Sequence, residues 1–228
     1  MFVGVWLLYA GDRLLDGVSG EEDLEERHRF HRRNRRGFLV AMVVAVAILL
    51  PLVLAIPWGL LKLYLQLVGL LFVWFGLVHG VAPGTGLRLP KEVMPGVFCA
   101  TATFVPVWAA VGFQHGELDF AALCFGQLVT LNCWTIFAWE HDEVSEAHAT
   151  TQFGVRWLRE ATIVGVLMPL AASCLAGPYL APIFFAIALA SASLWIVAKS
   201  RASLRPTDLR AAADLVLLTP LLIAAALR

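Results

Sequence analysis

Seven apolar runs, each about as long as a bilayer core is thick, alternate with polar segments along this chain: 37–56, 58–79, 94–113, 118–139, 157–176, 178–198 and 209–227. A helix needs about 20 such residues to cross the hydrocarbon. Each run is therefore read as a transmembrane helix. An eighth, Met1 to Leu15, is too short for a comfortable span. It lacks a basic leader and an A-x-A-like cleavage site, so it is read as a short helix and not a signal peptide. A further apolar segment of about 20 residues upstream of Met1 is expected to complete the pattern. The predicted fold is all-α, a polytopic membrane helical bundle of about eight transmembrane helices forming a single integral-membrane domain over residues 1–228.

The connections sharpen this plan. Turns at Pro57, Gln114 to Glu117 and Gly177-Pro178 are short, and the others are long and polar. Short and long alternate, as antiparallel helices with one elaborated face require. Pro51, Pro106, Pro169, Pro182 and Pro220 fall inside the apolar runs and predict kinks that widen a cavity.

Composition agrees. The chain is 60% hydrophobic and 15% charged, where a soluble domain is roughly 45–50% apolar. Cys99, Cys124, Cys133 and Cys174 lie within apolar runs without CxxC spacing and predict no disulfide framework.

The charges balance, 17 basic against 17 acidic, but they are segregated. All the lysines and arginines except Lys62 and Arg228 fall on the long-loop face, which the positive-inside rule makes cytoplasmic. Residues 17–36 run from acidic (Glu21 to Glu26) to basic (Arg27 to Arg36) and read as a charged cytoplasmic loop or surface helix. The expected location is the cell membrane, multi-pass, with membrane lipid as surroundings and no nucleic-acid partner.

Three polar elements on that face could carry chemistry. Asp12 and Asp16, four apart, share one helix face. Asp142 and Glu146 repeat the spacing after the fifth apolar run. Two acidic pairs across a bundle make an oxygen-rich site for a hard divalent cation, and Mg²⁺ fits best. Between them in sequence, Arg88 and Lys91 offer the cations that a diphosphate needs beside its metal. Each element also has a plainer reading, as interface carboxylates or topogenic arginines. The neighbouring Pro83-Gly84-Thr85-Gly86 is not a P-loop.

The order of these elements resembles the UbiA family of intramembrane prenyltransferases, with the first helix missing. Tyr9-Ala-Gly-Asp12-Arg-Leu-Leu-Asp16 keeps the last two aspartates of that family's NDxxDxxxD motif, and Leu8-Tyr9 stands where the family has Asn-Asp. Arg88 and Lys91 match its basic loop. Asp142 to Glu146, with Thr150, Thr151 and Gly154 beyond, match its second acidic motif. The resemblance implies a Mg²⁺-dependent transfer of an isoprenyl group from a diphosphate donor to an aromatic or other lipophilic acceptor. Asp12, Asp16, Asp142 and Glu146 would be the catalytic metal ligands, and Arg88 and Lys91 the diphosphate-binding residues. Trp6, Tyr9, Trp134, Phe137 and Trp139 could shelter an allyl cation, or form an interfacial aromatic belt.

Two other classes remain open. One is a catalytically inactive UbiA-like protein that binds lipid or a partner. The other is a small metal or solute transporter using His79, His141 and His148 with the acidic residues. In the last run, Asp214 is expected to pair with Arg210 at i, i+4.

Overall fold

The computed structural model describes residues 7, 10–11, 34–81, 88–112, 115–141, 144–145 and 147–219. Among the described residues every regular element is helical. Among the described residues from Asn34 onward, eight α-helices follow one another: α1 (Arg35–Leu54), α2 (Trp58–Gly76), α3 (Met94–Val111), α4 (Gly116–Glu140), α5 (Ala149–Arg156), α6 (Leu158–Leu175), α7 (Ala181–Lys199) and α8 (Pro206–Val216). A π-helical turn, Leu77–Val81, extends α2, and a 3₁₀ turn, Ser200–Ala202, follows α7. Six of these, α1 to α4, α6 and α7, are long and apolar enough to cross a membrane. The short first helix expected over Met1 to Leu15 and the end of the last run lie almost wholly outside the described residues.

Local chemistry explains the boundaries. Proline occupies the first turn of α3, α7 and α8, where its missing N–H is no loss. Pro182 therefore starts α7 instead of kinking its interior, as its place in the apolar run had suggested. Pro51, Pro106 and Pro169 do lie inside α1, α3 and α6, and Pro220 lies outside the described residues. α3 stops at Gly112, whose φ of 96° favours glycine. Glu117 and Asp119 in the first turn of α4 complement its dipole, as Lys199 does in the last turn of α7.

The chain divides into two compact units, Met1–Leu63 and Tyr64–Arg228, with the border inside α2. In the first unit, α1 buries little besides Ala45. Val40, Val43 and Leu54 are more than 60% exposed. Such a surface would be intolerable in water, and in a bilayer it is what the lipid tails touch. Lys62 lies 5.5 Å over the Trp58 ring, one turn away.

The second unit is built on α4, which packs against α3, α5, α6, α7 and α8. Its buried residues include Leu128, Leu131, Thr135 and Ile136. Small residues set the closest approaches. A Cβ on Gly96 of α3 would collide with Thr130 and lie 2.5 Å from the Gly126 carbonyl oxygen of α4. A Cβ on Gly165 of α6 would lie 2.7 Å from Leu131. Without a hydrophobic drive between helices in lipid, such backbone approaches supply the dispersion that holds the bundle. The most extensive pair is α6 with α7, joined through Gly177-Pro178, and Ser191 of α7 lies beside Gly165 of α6. Thr130, Thr135 and Thr162 donate to carbonyls one turn back, so their hydroxyls cost nothing in the apolar interior.

Candidate functional site

Four contacts between residues distant in sequence gather one end of the second unit. Arg88 Nη1 donates to the Ser145 carbonyl at 2.7 Å, across 57 residues. Four residues on, Glu92 accepts a hydrogen bond from the Thr151 hydroxyl. Arg210, in the second turn of α8, pairs with Glu140 at the end of α4, 3.2 Å apart. Arg201 donates to the Trp139 carbonyl at 3.4 Å. The basic loop, the segment after α4, and the adjoining ends of α5 and α8 thus meet at one polar end face.

The order of the loops makes this possible. Lys91 to Val93 form a turn, with Lys91 N on Leu89 O at 2.8 Å, which delivers Glu92 just ahead of α3. After α4 the chain folds back into α5, an amphipathic helix of eight residues that the apolar pattern does not reveal. His148 caps it, its Nδ1 accepting from Thr150 N at 3.2 Å. Gln152 Nε2 then donates to Ser145 O at 3.1 Å and Ala147 O at 2.9 Å, pinning the loop from within. Thr151, fully buried, faces Glu92. Gly154 lies under the Trp134 ring, where an added Cβ would collide.

Arg88 and Lys91, the two cations assigned to diphosphate, are both exposed. A guanidinium carries five N–H donors, and Ser145 engages one of them. Among the described residues no other partner engages the fork, whose remaining donors could serve an anion. The four carboxylates assigned to the metal, Asp12, Asp16, Asp142 and Glu146, lie outside the described residues, as do Trp6 and Tyr9. Oxygen donors of that kind suit a hard cation such as Mg²⁺. Among the described residues, no three His, Cys, Asp or Glu side chains converge as a metal site.

Below the polar contacts, Val93, Trp134, Ala149, Thr150 and Phe153 line a shallow apolar cavity of about 370 Å³. The Trp134 indole nitrogen is buried, without a hydrogen-bond partner among the described residues. Trp139 packs against the core, and Phe137 stacks on His141 with ring centroids 4.1 Å apart. His141 Nδ1 lies 3.2 Å from the Phe137 carbonyl oxygen, and His148 is the α5 cap, so both rings have local roles.

Two residues differ from expectation. Arg210 reaches Glu140 on α4 instead of Asp214 one turn along its own helix. Asp214 accepts instead from Asn132 Nδ2 at 3.3 Å. Since α8 packs against α4, each side chain meets a partner there. Glu92, Thr151 and Asn132 were not singled out as partners from sequence. For Thr151 there was a signal, its place in the Thr/Gly stretch after the second acidic motif.

Fold and composition together define a polytopic membrane-embedded helical protein. Set against protein-family models, curated proteins and solved structures, the chain has no match.

Proposed function

We propose that this chain is a UbiA-like intramembrane protein that binds an isoprenyl diphosphate and transfers its prenyl group to a lipophilic acceptor. One observation carries the reading. The Arg88 side chain is bonded to the backbone at Ser145, so the basic loop lies against the segment that bears Asp142 and Glu146. A metal-bound diphosphate needs cations, which Arg88 and Lys91 supply, beside metal-binding carboxylates, and Asp142 and Glu146 flank Ser145 in sequence.

In this reading Arg88 and Lys91 hold the diphosphate oxygens, Arg88 through the part of its fork not engaged by Ser145. Asp12, Asp16, Asp142 and Glu146 would hold Mg²⁺, which when bound would supply positive charge to the departing diphosphate. The apolar cavity beside Trp134 offers the prenyl chain a dry wall and an aromatic face. The membrane is the cell membrane, and the polar end face, where Arg88, Arg201 and Arg210 make their contacts, is cytoplasmic by the positive-inside rule.

The test is diphosphate release from isoprenyl diphosphates of short and long chain, with the full-length protein in nanodiscs. Release that requires Mg²⁺ and fails in Asp142→Asn and Asp12→Asn is expected. If no donor turns over and none loses binding in those variants, the reading is wrong.

A further inference from the structure

A second cavity, of about 250 Å³, lies on a different side of α4 and has no part in the site above. Thr135 of α4, Leu158 and Thr162 of α6, and Leu194 and Trp195 of α7 line it, together with the exposed Arg159. Both threonine hydroxyls donate to their own helices, to Leu131 O and Leu158 O at 2.7 Å each. The wall is therefore apolar in effect. Its mouth is not. Arg159 is the second residue of α6 and Lys199 the last of α7, and these helices are paired neighbours joined by a short turn. The two cations thus sit at the same end. Lys199 Nζ lies 5.1 Å from the centroid of the Trp195 ring that lines the cavity. Among the described residues neither cation is in an ion pair.

An apolar slot between membrane helices, topped by two cations and an indole, matches one occupant. We propose that it binds a membrane phospholipid with an anionic headgroup, acyl chain in the slot and phosphate against Arg159 and Lys199. A guanidinium and an ammonium together complement a phosphate. Trp195 sits where an indole is favoured, between tail and headgroup. Each cation near an anionic headgroup is worth about fivefold in binding. A zwitterionic lipid would gain the slot but little from the charges. The site stands apart from the prenyltransferase reading, since it shares no residue with it.

The experiment uses the full chain in phosphatidylcholine vesicles doped with phosphatidylglycerol brominated in its acyl chain. Bromine quenches indole at contact, and the Trp195 signal is isolated by subtracting the Trp195→Phe protein. Brominated phosphatidylglycerol is expected to quench that signal at a mole fraction about 10-fold or more below brominated phosphatidylcholine. Arg159→Gln and Lys199→Gln each reduce the preference about fivefold, and the double variant brings it near parity. Both positions are exposed, so folding is spared. Ala198 also lines the slot, and Ala198→Phe, which fills it while keeping both cations, lowers quenching by both lipids. Equal quenching by the two lipids in the unsubstituted protein overturns the proposal, as does an undiminished preference in the double variant. Displacement of the lipid by inorganic phosphate would assign the cations to a soluble anion instead.

Discussion

The hydroxyl of Thr151, fully buried in α5, donates to the carboxylate of Glu92, 59 residues earlier in the chain. This bond fastens the short helix after the second acidic segment to the turn that carries the basic loop. A hydrogen bond to a charged acceptor contributes about 1.5–3 kcal/mol, and its loss strands a polar group. Thr151→Val, equal in shape, should therefore lower stability by about 2 kcal/mol. Glu92→Gln keeps an acceptor oxygen and should cost less than half as much. Thermal unfolding in detergent, followed for both variants, distinguishes the two; equal losses would contradict the assignment.

Gly154 and Trp134 make the next prediction. No side chain fits at 154 without moving the indole ring. Gly154→Ala should destabilise by about 1–3 kcal/mol through overpacking. Shrinking the ring in Gly154→Ala/Trp134→Leu should recover part of that loss, which a double-mutant cycle in detergent would measure. Additive losses would show that the two positions do not touch.

Arg88 separates binding from folding. Arg88→Gln removes a charge from the proposed diphosphate site but only one exposed hydrogen bond from the fold. Donor affinity should drop about 10-fold or more, with the melting temperature nearly unchanged. Arg88→Lys keeps the charge and loses the planar fork, so it should fall between the two. Calorimetric titration with an isoprenyl diphosphate reads the order of the three proteins.

By contrast, the pair Arg210 and Glu140 should matter little to stability. Its side chains are 25% and 23% exposed. Ion pairs in contact with solvent contribute roughly 0–1 kcal/mol. Arg210→Gln should shift the unfolding free energy by less than about 1 kcal/mol. A larger loss would show that the contact has been desolvated.

Orientation can be read by labelling. With the native cysteines replaced, a cysteine at Ser145 should react with an impermeant maleimide only when the cytoplasmic face is opened. One at Gly177, in the short turn on the other side, should react in intact cells. The reverse pattern would invert the topology.

Much of the fold was legible because lipid imposes a simple rule on sequence. The apolar run 94–113 became Met94–Val111, and 178–198 became Ala181–Lys199. Helix α5 escaped that rule. Its eight residues mix Thr, Gln and Arg with Phe and Val, and its cap is a histidine instead of the usual Ser, Thr, Asp or Asn. The run 58–79 gave no warning that its end would open into a π-helical turn. At the site, sequence raised Arg88 as a residue of interest but could not name Ser145 as its partner. A backbone carbonyl carries no sequence signature, and a contact across 57 residues has no local period. Arg210 shows the opposite error. Its i, i+4 neighbour is the natural sequence inference, yet packing of α8 on α4 supplied Glu140 at 3.2 Å.

The central place of α4 has a consequence for the order in which the chain is made. Gln127 and Asn132 enter the membrane on α4 before α6, α7 and α8 exist to cover them. Asn132 finds Asp214 only 82 residues later, and Gln127 meets the Ala161 carbonyl 34 residues on. Until then these amides lack their native partners in an apolar solvent that offers none. A nascent chain paused between α4 and α8 thus carries Asn132 without the carboxylate it meets in the finished fold. Synthesis of the last helices, more than any single bond, ends that exposure.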